Sequence, residues 1–291
     1  MSSRNVLVVG LAFLGGFFLF LILLLVIGLF WALKGKPSLP HGDQIGVIEI
    51  KGLISEADGH LEDLRKFSRN DAIKAIVVRI ESPGGAVGAS QEIYRELKRI
   101  SEKKPVVASM GSVAASGGLY VALGARKIVA DPGTLTGSIG VMIQIPNIRK
   151  LLERIGIEAT VLKSGPYKDT GSLLRPLTKE EKELLMDTIR DVYTQFVQAV
   201  SESRGIPVEE VKKFADGRVF TGRRAKELGL VDVLGNFEDA VDLAAEMAGI
   251  KGPPHLVYPE EEKPWIKWLM TKSLAPKGLV LLFAPLYLAE I

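Results

Sequence analysis

The sequence lacks cysteine entirely and contains only three histidines among its 291 residues. Without cysteine there can be no disulfide, no thiolate metal site and no cysteine nucleophile. The histidines lie in a linker, a polar helix and a proline-rich region, so none follows a predicted strand: His41, His60 and His255. The net charge of +3 is also small, so we expect no nucleic-acid partner.

One apolar run stands out at the start of the chain. No charged residue occurs from Val6 to Leu33, whereas roughly 20 apolar residues are enough to cross a bilayer. A cleaved signal peptide would have a shorter apolar core and a small-residue cleavage site. The sequence therefore predicts a membrane anchor. The flanking charges are few on both sides, so they do not decide its orientation.

The remainder of the chain alternates predicted strands with predicted helices, a pattern typical of an α/β domain with a largely parallel sheet. The predicted strands are 44–50, 72–80, 105–110, 127–130, 139–145 and 158–162. A capping box at Thr178–Glu181 opens a long helix to about Arg204. We expect three parts: an anchor with a short linker at 1–36, a domain at 37–250, and a proline-containing, acidic linker with an apolar tail at 251–291.

The C-terminal tail has two interpretations. Residues 278–291 are almost wholly apolar but too few to span a bilayer. The tail either packs on the domain or a neighbouring subunit, or lies in the membrane interface with Trp265 and Trp268 at headgroup level.

A candidate nucleophile lies where the third predicted strand turns into a run of small residues. Ser116 occurs in Ala-Ala-Ser-Gly-Gly, and a sharp strand-to-helix turn exposes a hydroxyl beside free backbone N–H groups. The alternative is that the small residues only let a helix pack closely on the sheet.

A serine nucleophile also needs an oxyanion hole. Ser82–Gly85, of sequence Ser-Pro-Gly-Gly, follows a predicted strand, and its glycines let the backbone approach a ligand closely. Together with the N–H of Gly117, this turn can supply two donors. Most turns of this sequence only reverse the chain and have no catalytic function.

With no suitable histidine, the base is sought among lysines. Lys168 follows a predicted strand in a loop of small residues, near the hydroxyls of Tyr167, Thr170 and Ser172. Burial and such neighbours can lower a lysine pKa towards neutrality. Asp169 is a difficulty because a facing carboxylate would raise that pKa, so we expect it to point away. Most lysines in such loops are simply solvated.

Five motifs in consistent order resemble the signal peptide peptidase SppA family of serine peptidases, in its short, single-unit form. They are Ser82–Gly85, Gly111–Tyr120, Thr136–Gly140, Tyr167–Gly171 and Asp216–Asp232. The resemblance covers about Gly46 to Met247 and includes the N-terminal anchor. It implies a ClpP/crotonase-like α/β fold of repeated ββα units, preceded by one transmembrane helix.

The resemblance also implies roles for particular residues. Ser116 would be the nucleophile and Lys168 the general base of a Ser/Lys dyad, with no metal and no cofactor. Gly85, or alternatively Gly84, and Gly117 would form the oxyanion hole, and Ser172 would position the lysine. Leu119 stands where the family often has an aromatic residue, which predicts an altered specificity pocket.

Assembly, location and substrate follow from the same resemblance. We expect a homo-oligomeric ring in which neighbouring subunits supply the serine and the lysine of each site. The chain would be a single-pass protein of the cell membrane with its catalytic domain on the extracytoplasmic side. Its substrates would be cleaved signal peptides and similar apolar peptides in the lipid bilayer.

Three other functions compete with this one. A related peptidase could instead cleave stomatin-like membrane proteins. A crotonase-type enzyme acting on acyl-CoA shares the glycine turns, but it explains neither the serine with the lysine nor the anchor. A non-catalytic membrane scaffold would assemble without turnover.

Overall fold

A computed structural model describes residues 3–33 and 43–260. Contacts divide the chain into two units, with the boundary between Gly42 and Asp43. The predicted tail segment from Trp265 lies outside the described residues.

The first unit contains one helix, α1 (Ser3–Leu33). Its side chains are described for residues 14–29, and all of these are exposed. Across the part of the chain that the structure describes, no helix meets the length and apolarity needed to cross a membrane.

The second unit contains a sheet and eight helices within residues 43–260. The strands are β1 (Gln44–Ile54), β2 (Ile73–Gly85), β3 (Val106–Ala115), β4 (Lys127–Ala130), β5 (Leu135–Gly137), β6 (Val219–Thr221), β7 (Val233–Leu234) and β8 (His255–Val257). The helices are α2 (Asp58–Arg69), α3 (Val87–Ser101), α4 (Gly117–Ala122), α5 (Arg149–Arg154), α6 (Lys179–Arg204), α7 (Val208–Lys212), α8 (Gly222–Glu227) and α9 (Phe237–Ala248).

The described strands form one mixed sheet in the order β6-β5-β3-β2-β1-β8, with β4 and β7 joined to it through β3. Every pairing is parallel except β5 with β6. The predicted α/β class with a largely parallel sheet is thus confirmed. Parallel sheets are covered on both faces, and here α9 packs on one face while α2, α3, α4 and α6 contribute to the core on the other.

The pairing of the first three strands is irregular partway along each strand. The pairing of β1 with β2 shifts register between Lys51 and Leu53, and that of β2 with β3 shifts between Ile80 and Ser82. Strand β3 pairs with β4 up to Met110 and with β5 from Val113 onward. These irregularities lie at neighbouring positions of the three paired strands, close to their carboxyl ends.

Two predicted strands are absent. Residues 139–145 and 158–162 have no regular structure, with the short helix α5 between them. The first segment is mostly half-buried, whereas the second is exposed throughout. Their apolar composition suggested strands, but no described strand lies beside either segment to supply backbone partners. Strand β3, in contrast, runs to Ala115, beyond the predicted end at residue 110.

Candidate active site

Ser116 lies between the end of β3 and the start of α4, in a backbone conformation unusual for a residue with a side chain. Its φ is 52° and its ψ is −119°. A non-glycine residue in such a region costs about 1–3 kcal/mol and persists only when its surroundings hold it. The Ser116 N–H donates to the Gly137 carbonyl at 2.9 Å. The predicted exposed turn is therefore present, and Ser116 itself is half-buried.

The glycine turn of the second motif lies directly against this serine. A Cβ on Gly84 would come within 2.6 Å of the Gly117 nitrogen and 2.9 Å of the Ser116 Cβ. A Cβ on Gly117 would lie 3.1 Å from the Gly85 nitrogen. Gly84 also has a φ of 107°, which favours glycine. The backbone nitrogens of Gly85 and Gly117 are thus neighbours, as an oxyanion hole requires.

Buried serines shape the contact between the two turns. Ser82 is fully buried, and its Oγ accepts the Gly84 N–H at 3.1 Å. A Cβ on Gly118 would lie 2.7 Å from the Ser82 carbonyl oxygen, and one on Gly117 would lie 2.5 Å from the Ser90 Oγ. Any residue larger than glycine after Ser116 would therefore displace the turn. Both consecutive glycines have a steric reason to be there.

The third motif contacts the serine turn through Gly137, and the fifth motif is bonded to the third. Gly137 and Ser138 of the third motif have φ values of 84° and 51°. Ser138 donates its N–H to the Arg218 carbonyl at 2.8 Å, and Gly217 donates to the Ile139 carbonyl at 3.1 Å. Four of the five motifs thus converge around Ser116.

Glu81 has a role in this site that we did not predict. Its carboxylate accepts the N–H groups of Ser112 and Val113 at 2.8 and 3.1 Å. These amides lie where β3 changes partner, just before the nucleophile. A Cβ on Gly111 would collide with the same carboxylate. The only indication of this role in the sequence was that Glu81 immediately precedes the Ser-Pro-Gly-Gly turn.

Ser116 opens onto a cleft of about 890 Å³. Apolar side chains dominate its lining: Leu53, Val87, Ile139, Val141, Met142, Ile189 and Tyr193. A smaller cavity of about 30 Å³ adjoins the same serine and is lined by Val192, Phe196 and Tyr120 among others. Leu119 lines neither cavity and is fully buried. The predicted effect of Leu119 on a pocket would therefore be indirect, and it stays a prediction.

Lys168 is not brought to Ser116 within one chain. It lies in an exposed turn between α5 and α6 and lines neither of the two cavities at the serine. In the described ranges, no hydrogen bond or ion pair involves its side chain. The Ser172 Oγ accepts the Leu174 N–H at 3.2 Å, so Ser172 binds backbone here. The two histidines within 43–260, His60 and His255, also do not line these cavities.

The Asp169 side chain is bound by Arg175 and Lys163; its orientation away from Lys168 stays a prediction. Its carboxylate accepts hydrogen bonds from Nη2 and Nε of Arg175, at 2.7 and 2.9 Å, and from the Lys163 ammonium at 2.6 Å. These bonds hold the pKa of the Asp169 carboxyl well below its usual range. Hydrogen bonds to Glu181 and then to Asp169 raise the pKa of Arg175.

Arg175 continues this network to the first turn of α6. Its Nη1 donates to Glu181 at 2.7 Å, and Thr170 donates to the same carboxylate at 3.1 Å. Glu181 is 2% exposed and completes the predicted capping box with Thr178. Hydrogen bonds from Arg175 and the Thr178 amide lower the pKa of Glu181 to about 2. Spacing in the sequence did not reveal this network.

Comparison with known proteins now decides the family. Residues 98–251, just over half of the chain, match the profile described as peptidase family S49. The chain belongs to peptidase family S49. The predicted serine peptidase activity is thereby confirmed at the level of the family, and a crotonase-type enzyme is not supported. The dyad itself stays a prediction.

Named S49 relatives are similar over most of the catalytic unit. A protein of Synechocystis sp. named as a protease is 52% identical over 71% of this chain and 75% of its own length. The chloroplastic serine protease SPPA of Arabidopsis thaliana is 39% identical over 72% of this chain but only 33% of its own length. Among solved structures, a membrane-bound stomatin-specific protease aligns with a TM-score of 0.49 and 16% identity, over 76% of this chain and 100% of its own.

Proposed function

We propose that this S49 peptidase is a membrane-anchored endopeptidase with a ClpP/crotonase-like domain and a Ser/Lys dyad of Ser116 and Lys168. The observation that supports this most strongly is the position of Ser116. It lies at a strained strand-to-helix turn, in a cleft, with the Gly85 and Gly117 nitrogens adjacent.

The proposed reaction runs through an acyl-enzyme. The Ser116 Oγ attacks the peptide carbonyl carbon while the neutral Lys168 amine takes the hydroxyl proton. The N–H groups of Gly85 and Gly117 stabilise the oxyanion that forms. The lysine then returns the proton to the departing amine as the C–N bond breaks. Water, deprotonated by the same lysine, hydrolyses the ester and regenerates Ser116.

The two halves of the dyad are proposed to come from neighbouring subunits of a ring. Lys168 is exposed and absent from the cleft lining in a single chain. The segment around it also exposes large apolar side chains: Met142 (83%), Leu162 (93%), Leu151, Ile155, Ile157 and Leu173. Such a concentration is typical of an interaction surface. A second copy of the chain covering it would also bury Lys168.

The cleft suits an apolar peptide. Its lining is dominated by aliphatic side chains, and the small cavity beside Ser116 leaves room for only a small side chain next to the scissile bond. Cleaved signal peptides fit this chemistry. Stomatin-like membrane proteins are the alternative substrate.

Anchoring is proposed on the charge-free sequence from Val6 to Leu33, with the catalytic domain on the extracytoplasmic side. In a vesicle flotation assay, we expect deletion of residues 1–36 to weaken membrane association. Residual binding that disappears only when Trp265–Ile291 is deleted as well would identify the tail as an interfacial segment. Complete release by the first deletion would reject that role, and full retention after both deletions would reject anchoring by these segments.

The dyad is tested by activity and by labelling. The domain from about Lys36 would be assayed on an apolar peptide and treated with a fluorophosphonate, and mass spectrometry would locate the adduct. Ser116→Ala and Lys168→Ala should each lower kcat by roughly 10³-fold or more. Exposed controls, Ser112→Ala and Lys103→Ala, should retain activity. An unlabelled wild type that assembles without turnover would favour the scaffold function instead.

A further inference from the structure

Asp169 is adjacent in sequence to the proposed base, and its charge opposes the function of that base. A carboxylate close to a lysine stabilises the ammonium form, which cannot accept a proton. Peptidase chemistry with Lys168 therefore requires that the negative charge of Asp169 be compensated. The structure shows which groups do so.

The charges around Lys168 balance within the described segment. Lys163 and Arg175 are cationic, and Asp169 and Glu181 are anionic, so the four groups sum to zero. Both Asp169 oxygens accept hydrogen bonds from Arg175, and the Asp169 side chain is only 13% exposed. The carboxylate is thus held by the guanidinium and is not free to turn towards Lys168.

Arg175 also fixes where this segment lies. It binds Asp169 with Nε and Nη2, and it binds Glu181, at the start of α6, with Nη1 and Nη2. A planar guanidinium can make such forked contacts to two carboxylates, whereas a lysine ammonium cannot hold the same geometry. One side chain therefore couples the loop of the base to a long helix whose Ile189 and Tyr193 line the serine cleft.

We propose that Arg175 is a positioning residue, which holds the Asp169 carboxylate away from Lys168 and joins the loop of the base to α6. This inference rests on the proposed function of Lys168 as the base. Arg175 touches neither the substrate nor Ser116 in this account. It acts only through Asp169, Glu181 and the loop.

The pH dependence of kcat/KM in the full-length assembled protein tests this role, because a merely structural arginine would not move it. Activity should rise with pH as the base loses its proton. Arg175→Met removes two of the three hydrogen bonds to the Asp169 carboxylate, keeps the one from Lys163, and leaves the four-group network with a net negative charge. The rising limb should therefore move to higher pH by about one unit. Adding Asp169→Asn removes that charge, and the double variant should return the limb towards the wild-type position.

Three further variants complete the experiment. Asp169→Asn alone should move the limb to lower pH. Arg175→Lys keeps the charge but loses the fork, so kcat should fall a few-fold with the limb close to that of wild type. Arg224→Met, which removes an exposed ion pair with Glu227 on α8, is the matched control and should change neither quantity.

The outcomes separate this inference from the proposed function. A folded Arg175→Met enzyme with an unmoved limb would overturn the role of Arg175, as would a displaced limb that Asp169→Asn does not restore. If Arg175→Met fails to fold by circular dichroism, the single Asp169→Asn variant decides, and an unchanged limb there overturns the inference. Retention of wild-type activity and pH profile by Lys168→Ala would instead reject the dyad itself.

Discussion

The serine half and the lysine half of the candidate site are built in opposite ways. Ser116 lies at the end of a buried strand, and two other motifs contact its turn, one through glycine contacts and one through a backbone hydrogen bond. Lys168 lies in an exposed loop, and the sequence on either side of it carries large apolar side chains that are exposed in the described part of the chain. The first half is complete in one chain. In our proposal, the second half is completed by another copy of the chain.

The largest effect is expected from the glycine turn of the serine half. Gly84→Ala would force a Cβ to within 2.6 Å of the Gly117 nitrogen at a φ of 107°. Displacing one oxyanion donor costs about 10²–10³-fold in kcat, and we expect a loss of this size.

Gly88→Ala is the matched control for that change. Its Cβ would meet nothing within 4 Å in the second position of α3, so activity should be retained. Equal kcat for Gly84→Ala and wild type would show that the turn does not shape the oxyanion hole.

The next effect concerns the lysine half. Leu162 is 93% exposed, so Leu162→Asp should change the free energy of unfolding of the isolated chain by no more than about 0.5 kcal/mol. Assembly, measured by analytical ultracentrifugation, should weaken, and activity should fall roughly tenfold because burying a charge at an apolar interface is costly.

Leu53→Asp is not a suitable control, because Leu53 lines the cleft. Val219→Asp, on β6 and 59% exposed, places the same charge on a surface outside the segment. If both variants assemble and turn over equally well, the apolar segment is not an interface.

A smaller effect is expected at Glu81, which supports the bend in β3. Glu81→Gln keeps one acceptor oxygen where the carboxylate now serves two amides. Because Glu81 is half-buried, the loss should be about 1 kcal/mol in the free energy of unfolding, with kcat several-fold lower. Urea unfolding and steady-state kinetics measure the two quantities, and an unchanged kcat in a destabilised variant would separate stability from positioning.

The smallest effect is a local one in acid. Because the folded pKa of Glu181 lies at about 2, below its ordinary 4.5, its network stabilises the fold above pH 4.5. That stability is lost as pH falls from about 4.5 to about 2. Pepsin should therefore cleave within residues 163–178 faster at pH 2 than at pH 4. Arg175→Met should be cleaved quickly at both values, and wild-type cleavage that is equal at both would contradict this account.

The sequence predicted the serine half well because its chemistry is local. The positions around Ser116 and Gly84, at the strand ends, leave so little space that few residues other than small ones can occupy them. The convergence of these motifs also follows from parallel strands, whose carboxyl ends share one edge. Glu81 escaped prediction because its partners are backbone amides of another strand.

The lysine half was predicted less well because the determinants of its structure lie outside its own sequence. Segments 139–145 and 158–162 have strand-like composition, yet backbone pairing needs a neighbouring strand. Arg175 joins residues six positions away on either side, a spacing that corresponds to no regular element. The environment of Lys168 is set by this network and, in our proposal, by a second subunit.

Complementation between two inactive variants tests the central claim most directly. Ser116→Ala and Lys168→Ala chains with different tags would be co-expressed, purified through both tags and assayed. If each site takes its serine and lysine from neighbouring subunits, random mixed rings should recover about a quarter of wild-type activity. Ser116→Ala mixed with the double variant should stay inactive. A purified mixed assembly of the two single variants without activity would contradict a site shared between subunits.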